Sequence, residues 1–77
     1  MWKFNGAQLR SLRERAGYTQ MELAERIRVR SSQISRYEKG EFIPRPRKIK
    51  AIARVLNIKS DELFTEVEEK QEEKKEA

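Results

Sequence analysis

Seventy-seven residues, 36% hydrophobic and 40% charged, allow one domain with a small core made by a few helices. The formal net charge of +5 favours a polyanionic partner. With no cysteine and no histidine, disulfides, thiolate chemistry and an ordinary zinc site are excluded.

No run of about 18 apolar residues is present, so no membrane-spanning helix is expected. The opening MWKFNGAQ lacks an apolar run of signal-peptide length, which makes a cytoplasmic location the expectation. The charge is unevenly spread. Residues 66–77 hold six Glu and three Lys, while residues 1–65 hold 15 basic and 7 acidic side chains. A basic body over 1–67 and a charged tail over 68–77, as a frayed helix or disordered, are therefore expected.

In chain order, Asn5 with Gln8 three residues on forms a capping-box pattern before a first helix over about 6–16. Leu9, Leu12 and Ala16 share its inner face, and Gly17 is a natural left-handed stop. Phe4 is expected to staple the helix start to the core. Trp2 has two readings, as cover for an apolar rim or as part of a dimer contact. Thr19 and Glu22 make a stronger capping box and open a second helix over about 20–27. A turn at 28–30 leads to a third helix over about 31–38, ended by Gly40. Two prolines in EFIPRP break the chain, and Pro46 suits the first turn of a fourth helix over about 46–56. Ile49, Ile52, Ala53 and Leu56 form its buried face. Asn57 is a plausible left-handed stop. Ser60, with Asp61 and Glu62, is expected to start a fifth helix, with Leu63, Phe64 and Val67 closing the core. No strand signal and no internal repeat are visible.

The stretch from Thr19 to Gly40 organises the rest. Leu23 and Ile27 lie four apart on one helical face, and Ile34 and Tyr37 three apart on the next. Ala24 permits close helix approach, and Val29 plugs the corner. What remains on the third helix is polar. A helix about 10–12 Å across fits the major groove, where each base pair displays its own donors and acceptors. Ser31, Ser32, Gln33 and Arg36 are the candidate base contacts. Gln bonds adenine with two hydrogen bonds, and the planar fork of Arg matches guanine O6 and N7. Ser35 is placed to reach a phosphate or a base. Arg30, Lys39, Arg45, Arg47 and Lys48 are candidate phosphate contacts flanking the helix.

The pattern resembles the phage repressor and Cro type helix-turn-helix family, also called the xenobiotic-response-element family, over about residues 6–64. The family's twenty-residue motif would run from Gln20 to Lys39, with Leu23, Ile27, Val29, Ile34 and Tyr37 in its apolar places and Ala24 in its small-residue place. The phrases LRERAGYTQ, YEKG and IARVLNIKSDELF also match. The resemblance implies an all-α, compact five-helix repressor-like domain with the helix-turn-helix at helices 2 and 3. It also implies a phosphate contact by Gln20 and a structural ion pair between Arg13 and Glu38. Two positions depart from the family. Arg28 stands where glycine is usual, in a turn of positive φ, at a cost of roughly 1–2 kcal/mol. Arg30 stands where Ser or Thr usually caps the recognition helix, so Ser31 is expected to cap instead.

The expected function is sequence-specific binding of double-stranded DNA by a transcriptional regulator, as a homodimer on a two-fold site. Trp2, Phe42, Ile43 and residues 58–67 are the candidate dimer surfaces. The alternative is a protein-interaction module, such as an antitoxin or a bridging coactivator, with the acidic tail as its partner-binding arm. No enzyme activity, cofactor or metal is expected, since no glycine-rich phosphate loop and no carboxylate pair in a plausible pocket accompany the missing histidine and cysteine.

Overall fold

Two reciprocal hydrogen bonds begin the central helix of the molecule. Glu22 N donates to Thr19 Oγ1 at 3.0 Å, and Thr19 N donates to Glu22 Oε1 at 2.9 Å. In the computed structural model, which describes residues 1–67, that helix is α2 (Gln20–Ile27). It packs against α3 (Ser31–Lys39) and α4 (Pro46–Leu56), and α1 (Gly6–Arg15) packs against α3. Leu9 and Leu12 of α1, Leu23 and Ile27 of α2, Ile34 and Tyr37 of α3, and Ile49, Ile52 and Leu56 of α4 meet in one core. The tail expected at 68–77 lies outside the described residues. Among the described residues no helix is long and apolar enough to cross a membrane.

The expected fifth helix is replaced by other structure. Ser60–Leu63 forms a single 3-10 turn, and Phe64–Glu66 is a strand, β2. It pairs antiparallel with β1 (Trp2–Phe4), in the register Trp2 with Glu66, Lys3 with Thr65 and Phe4 with Phe64. Among the described residues the fold is thus mostly helical, with four α-helices and a small two-stranded sheet. Pairing across the chain ends explains the difference. A fifth helix needs the amides and carbonyls of 64–66 for itself, whereas the sheet ties them to residues 2–4. Val67 N extends the tie by donating to Met1 O at 2.7 Å. Leu63 still closes the core, fully buried, and Phe4 packs edge-on to Phe64 with ring centroids 6.0 Å apart.

The capping box expected at Asn5 is only half formed. Asn5 Oδ1 accepts from Gln8 N at 3.0 Å. Asn5 N, however, donates to Leu63 O at 2.8 Å, and Asn5 Nδ2 to Thr65 Oγ1 at 2.7 Å. One asparagine therefore starts α1 and clamps the 3-10 turn and β2 to it.

The turn between α2 and α3 takes the left-handed backbone with arginine in the place of glycine. Arg28 has φ 63° and ψ 50°, and Val29 N donates to Ala24 O at 3.0 Å to close the helix end. Arg28→Gly removes the Cβ clash, which costs about 1–2 kcal/mol. It also loosens the unfolded chain, which gives back about 0.5–1 kcal/mol. The expected net result is a gain of about 0.5–1 kcal/mol in urea unfolding, with DNA affinity unchanged.

Candidate nucleic-acid interface

The recognition surface begins with how α3 starts. Arg30 occupies the N-cap position in extended conformation and makes no side-chain capping bond. Ser31, expected to cap, is instead the first helical residue. The Arg30 carbonyl accepts from Gln33 N at 2.9 Å and from Ile34 N at 3.3 Å, so the helix starts on backbone bonds alone. No side chain caps the first amides of α3, a place where anions are favoured.

The helical period then separates two faces. Ile34 and Tyr37 are buried, and Ser32 and Arg36, four apart, are exposed. Ser31, Gln33 and Ser35 are half-buried at the edges. Gln33 Nε2 donates to Tyr37 Oη at 3.2 Å, which orients the amide along the groove shared with Phe42, Ile43, Arg45 and Lys48. The Arg36 guanidinium lies over the Phe42 ring, 5.2 Å from its centroid.

Around this face, Arg30, Lys39, Arg45 and Arg47 are exposed cations. Lys48 is placed differently. Its Nζ donates to Ile27 O, the last carbonyl of α2, at 2.7 Å. A cation there satisfies an orphan acceptor and complements the negative end of the helix. Lys48 therefore holds α4 to α2.

Beneath α3 lies a polar cluster. Arg13 Nε donates to Glu38 Oε2 at 2.6 Å and Arg13 Nη2 to Glu38 Oε1 at 3.2 Å, a two-pronged pair. The side chains are only 8% and 5% exposed. Arg13 Nη1 donates further to Tyr18 O at 2.8 Å, tying the loop before α2 to α1. The Glu38 hydrogen bond raises the Arg13 pKa above its ordinary value, against the opposing pull of burial. Gln20 belongs to the same cluster, with Nε2 donating to Glu38 Oε1 at 2.9 Å. One carboxylate on α3 thereby fixes α1 and the start of α2. Sequence reasoning did not foresee the Gln20 to Glu38 bond, because nothing in a spacing of 18 residues announces it.

Gly6 was also missed. A Cβ on Gly6 would collide with the Tyr37 carbonyl oxygen and lie 2.7 Å from Glu38 O, so the start of α1 rests directly on the backbone at the end of α3. Its position at the first residue of a helix was the only available signal.

A short corner between two helices, the second presenting a bare polar face between exposed cations, defines a DNA-reading helix-turn-helix unit of the phage repressor and Cro type. The chain belongs to the helix-turn-helix domain family, whose model matches residues 6–66. An uncharacterized HTH-type transcriptional regulator of Archaeoglobus fulgidus is 41% identical over 56 residues, 73% of this chain and 80% of that relative. Among solved structures, the restriction-modification controller protein C.AhdI from Aeromonas hydrophila superposes with a TM-score of 0.71 at 31% identity, over 75% of this chain and 84% of its own. The master regulator for biofilm formation SinR, solved in complex with DNA, gives 0.70 at 27% identity, over 75% of this chain and 97% of its own.

Proposed function

We propose that the chain is a sequence-specific double-stranded-DNA-binding transcriptional regulator that reads the major groove with α3 and binds a two-fold site as a homodimer. One observation carries this reading: Ser32 and Arg36 stand exposed on the helix whose other face, Ile34 and Tyr37, is buried. A helix held by one side offers the other to a groove of matching width. Residues 1–67 form the binding unit. Ser31, Ser32, Gln33 and Arg36 face the bases. Gln20, Arg30, Ser35, Lys39, Arg45 and Arg47 face the phosphates, assisted by the free amides at the start of α2 and by the outer protons of Lys48. Five to six phosphate contacts correspond to a salt slope of about −5.

A second copy is part of the reading because one small module buries too little DNA for strong selectivity. Half-site centres about 34–36 Å apart follow from two-fold placement of adjacent major grooves. The exposed residues Trp2, Phe42 and Ile43 are the surfaces available for that contact. The reading places the protein with DNA in the cytoplasm.

Two substitutions test the division of labour, by titrating a bound site against a scrambled competitor at physiological salt. Arg36→Ala should lose discrimination at one base pair, about 1–3 kcal/mol. Lys39→Ala should weaken all duplexes alike and make the salt slope shallower by about 1. Salt-sensitive binding with no preference for any sequence would favour a protein-interaction module instead.

A further inference from the structure

We propose that Phe42 is a positioning residue, which holds the Arg36 guanidinium ready for base contact; this deepens the proposed function and rests on it. Phe42 lies outside the core, 46% exposed. Its ring instead lies under the Arg36 guanidinium, 5.2 Å from centroid to Cζ. That distance is within cation–π range.

The placement is built into the end of α3. Gly40 takes the left-handed backbone at φ 79°, which reverses the chain after Lys39. The Arg36 carbonyl then accepts from Glu41 N at 2.9 Å and from Phe42 N at 3.4 Å. The loop is thus anchored on the backbone of the residue whose side chain it supports. Among the described residues, Arg36 has no carboxylate ion-pair partner. An arginine left to itself samples many rotamers and must be ordered when it binds. A ring held against the guanidinium restricts that sampling while leaving N–H donors on its other sides for a base.

The test uses the full chain and three variants, Phe42→Leu, Phe42→Tyr and Arg36→Ala, with the double variant Arg36→Ala/Phe42→Leu. In free protein, the Arg36 side-chain proton resonances should carry a ring-current shift that Phe42→Leu removes and Phe42→Tyr keeps. In selection from a random duplex pool, Phe42→Leu should relax preference about two- to fivefold at the base pair relaxed by Arg36→Ala. Phe42→Tyr should retain that preference, and Phe42→Leu should add nothing in the Arg36→Ala background. Arg36 resonances indifferent to Phe42→Leu would overturn the positioning role whatever the DNA data show. A Phe42→Leu effect at a different base pair, or one that persists in full without Arg36, would overturn it in favour of direct contact by the ring. A wild-type pool without enrichment would overturn the proposed function itself, a result separable from the resonance measurement.

Discussion

Glu38→Ala should lower the unfolding free energy by about 3–5 kcal/mol, read from the shift of the urea midpoint at constant slope. The substitution takes the acceptor away from three donors together: Arg13 Nε, Arg13 Nη2 and Gln20 Nε2. Arg13 keeps its bond to Tyr18 O and a 3.8 Å approach to the exposed Glu14 Oε2, but loses the close, buried counter-ion that answers its charge. An uncompensated buried charge costs more than the intact pair contributes, and this asymmetry sets the sign and size of the effect. At roughly 0.05–0.15 kcal/mol per residue, a domain of 77 residues holds about 4–12 kcal/mol, so the loss is a large fraction of it. Glu38→Gln keeps one acceptor and should cost less. Arg13→Met with Glu38→Leu should also cost less than Glu38→Ala, since it removes both charges. Equal destabilisation by Glu38→Gln and Glu38→Ala would mean that the charge and both oxygens of the carboxylate, not its shape or a single acceptor, are what Glu38 supplies.

Gly6→Ala should be comparably severe, at or above the upper end of the ~1–3 kcal/mol usual for overpacking. The added methyl would meet the Tyr37 carbonyl oxygen and the Glu38 carbonyl group, and both belong to backbone that cannot rotate aside. Either α1 lifts off α3 or the last turn of α3 distorts. Both outcomes disturb the Arg13 to Glu38 pair, which bridges the same two helices. The two substitutions should therefore be non-additive. Thermal unfolding of Gly6→Ala, Glu38→Ala and the double variant measures the coupling. Additivity within about 0.3–0.5 kcal/mol would show that the contacts act independently.

The parts of the fold that were legible in the sequence are those set by local chemistry. Leu23, Ile27, Ile34 and Tyr37 mark their faces by spacing alone, and all four are buried. Thr19 with Glu22 announces the start of α2, and Asn57, with φ 59°, ends α4 as its side chain allows. The illegible parts are non-local. WKF and FTE are three-residue strands, too short to show alternation, and their partners lie at opposite ends of the described chain. The acidic start at Asp61 and Glu62 is real, yet it opens one 3-10 turn and not a helix, because the next three residues are taken by β1. The same division holds in the site. Exposure of Ser32 and Arg36 follows from helical period, whereas Lys48 on the Ile27 carbonyl and Phe42 under Arg36 depend on where α4 and the loop come to rest.

The proposed function puts α3 in a major groove with Arg36 on a base. Protection of guanine N7 from methylation, on a duplex recovered from a random pool, probes that atom directly, since N7 lies on the major-groove floor. A protected guanine is expected in each of two half-sites about one helical turn apart, with that protection lost in Arg36→Ala while the flanking phosphate footprint remains. Protection confined to adenine N3 in the minor groove, or a guanine pattern unchanged by Arg36→Ala, would contradict it.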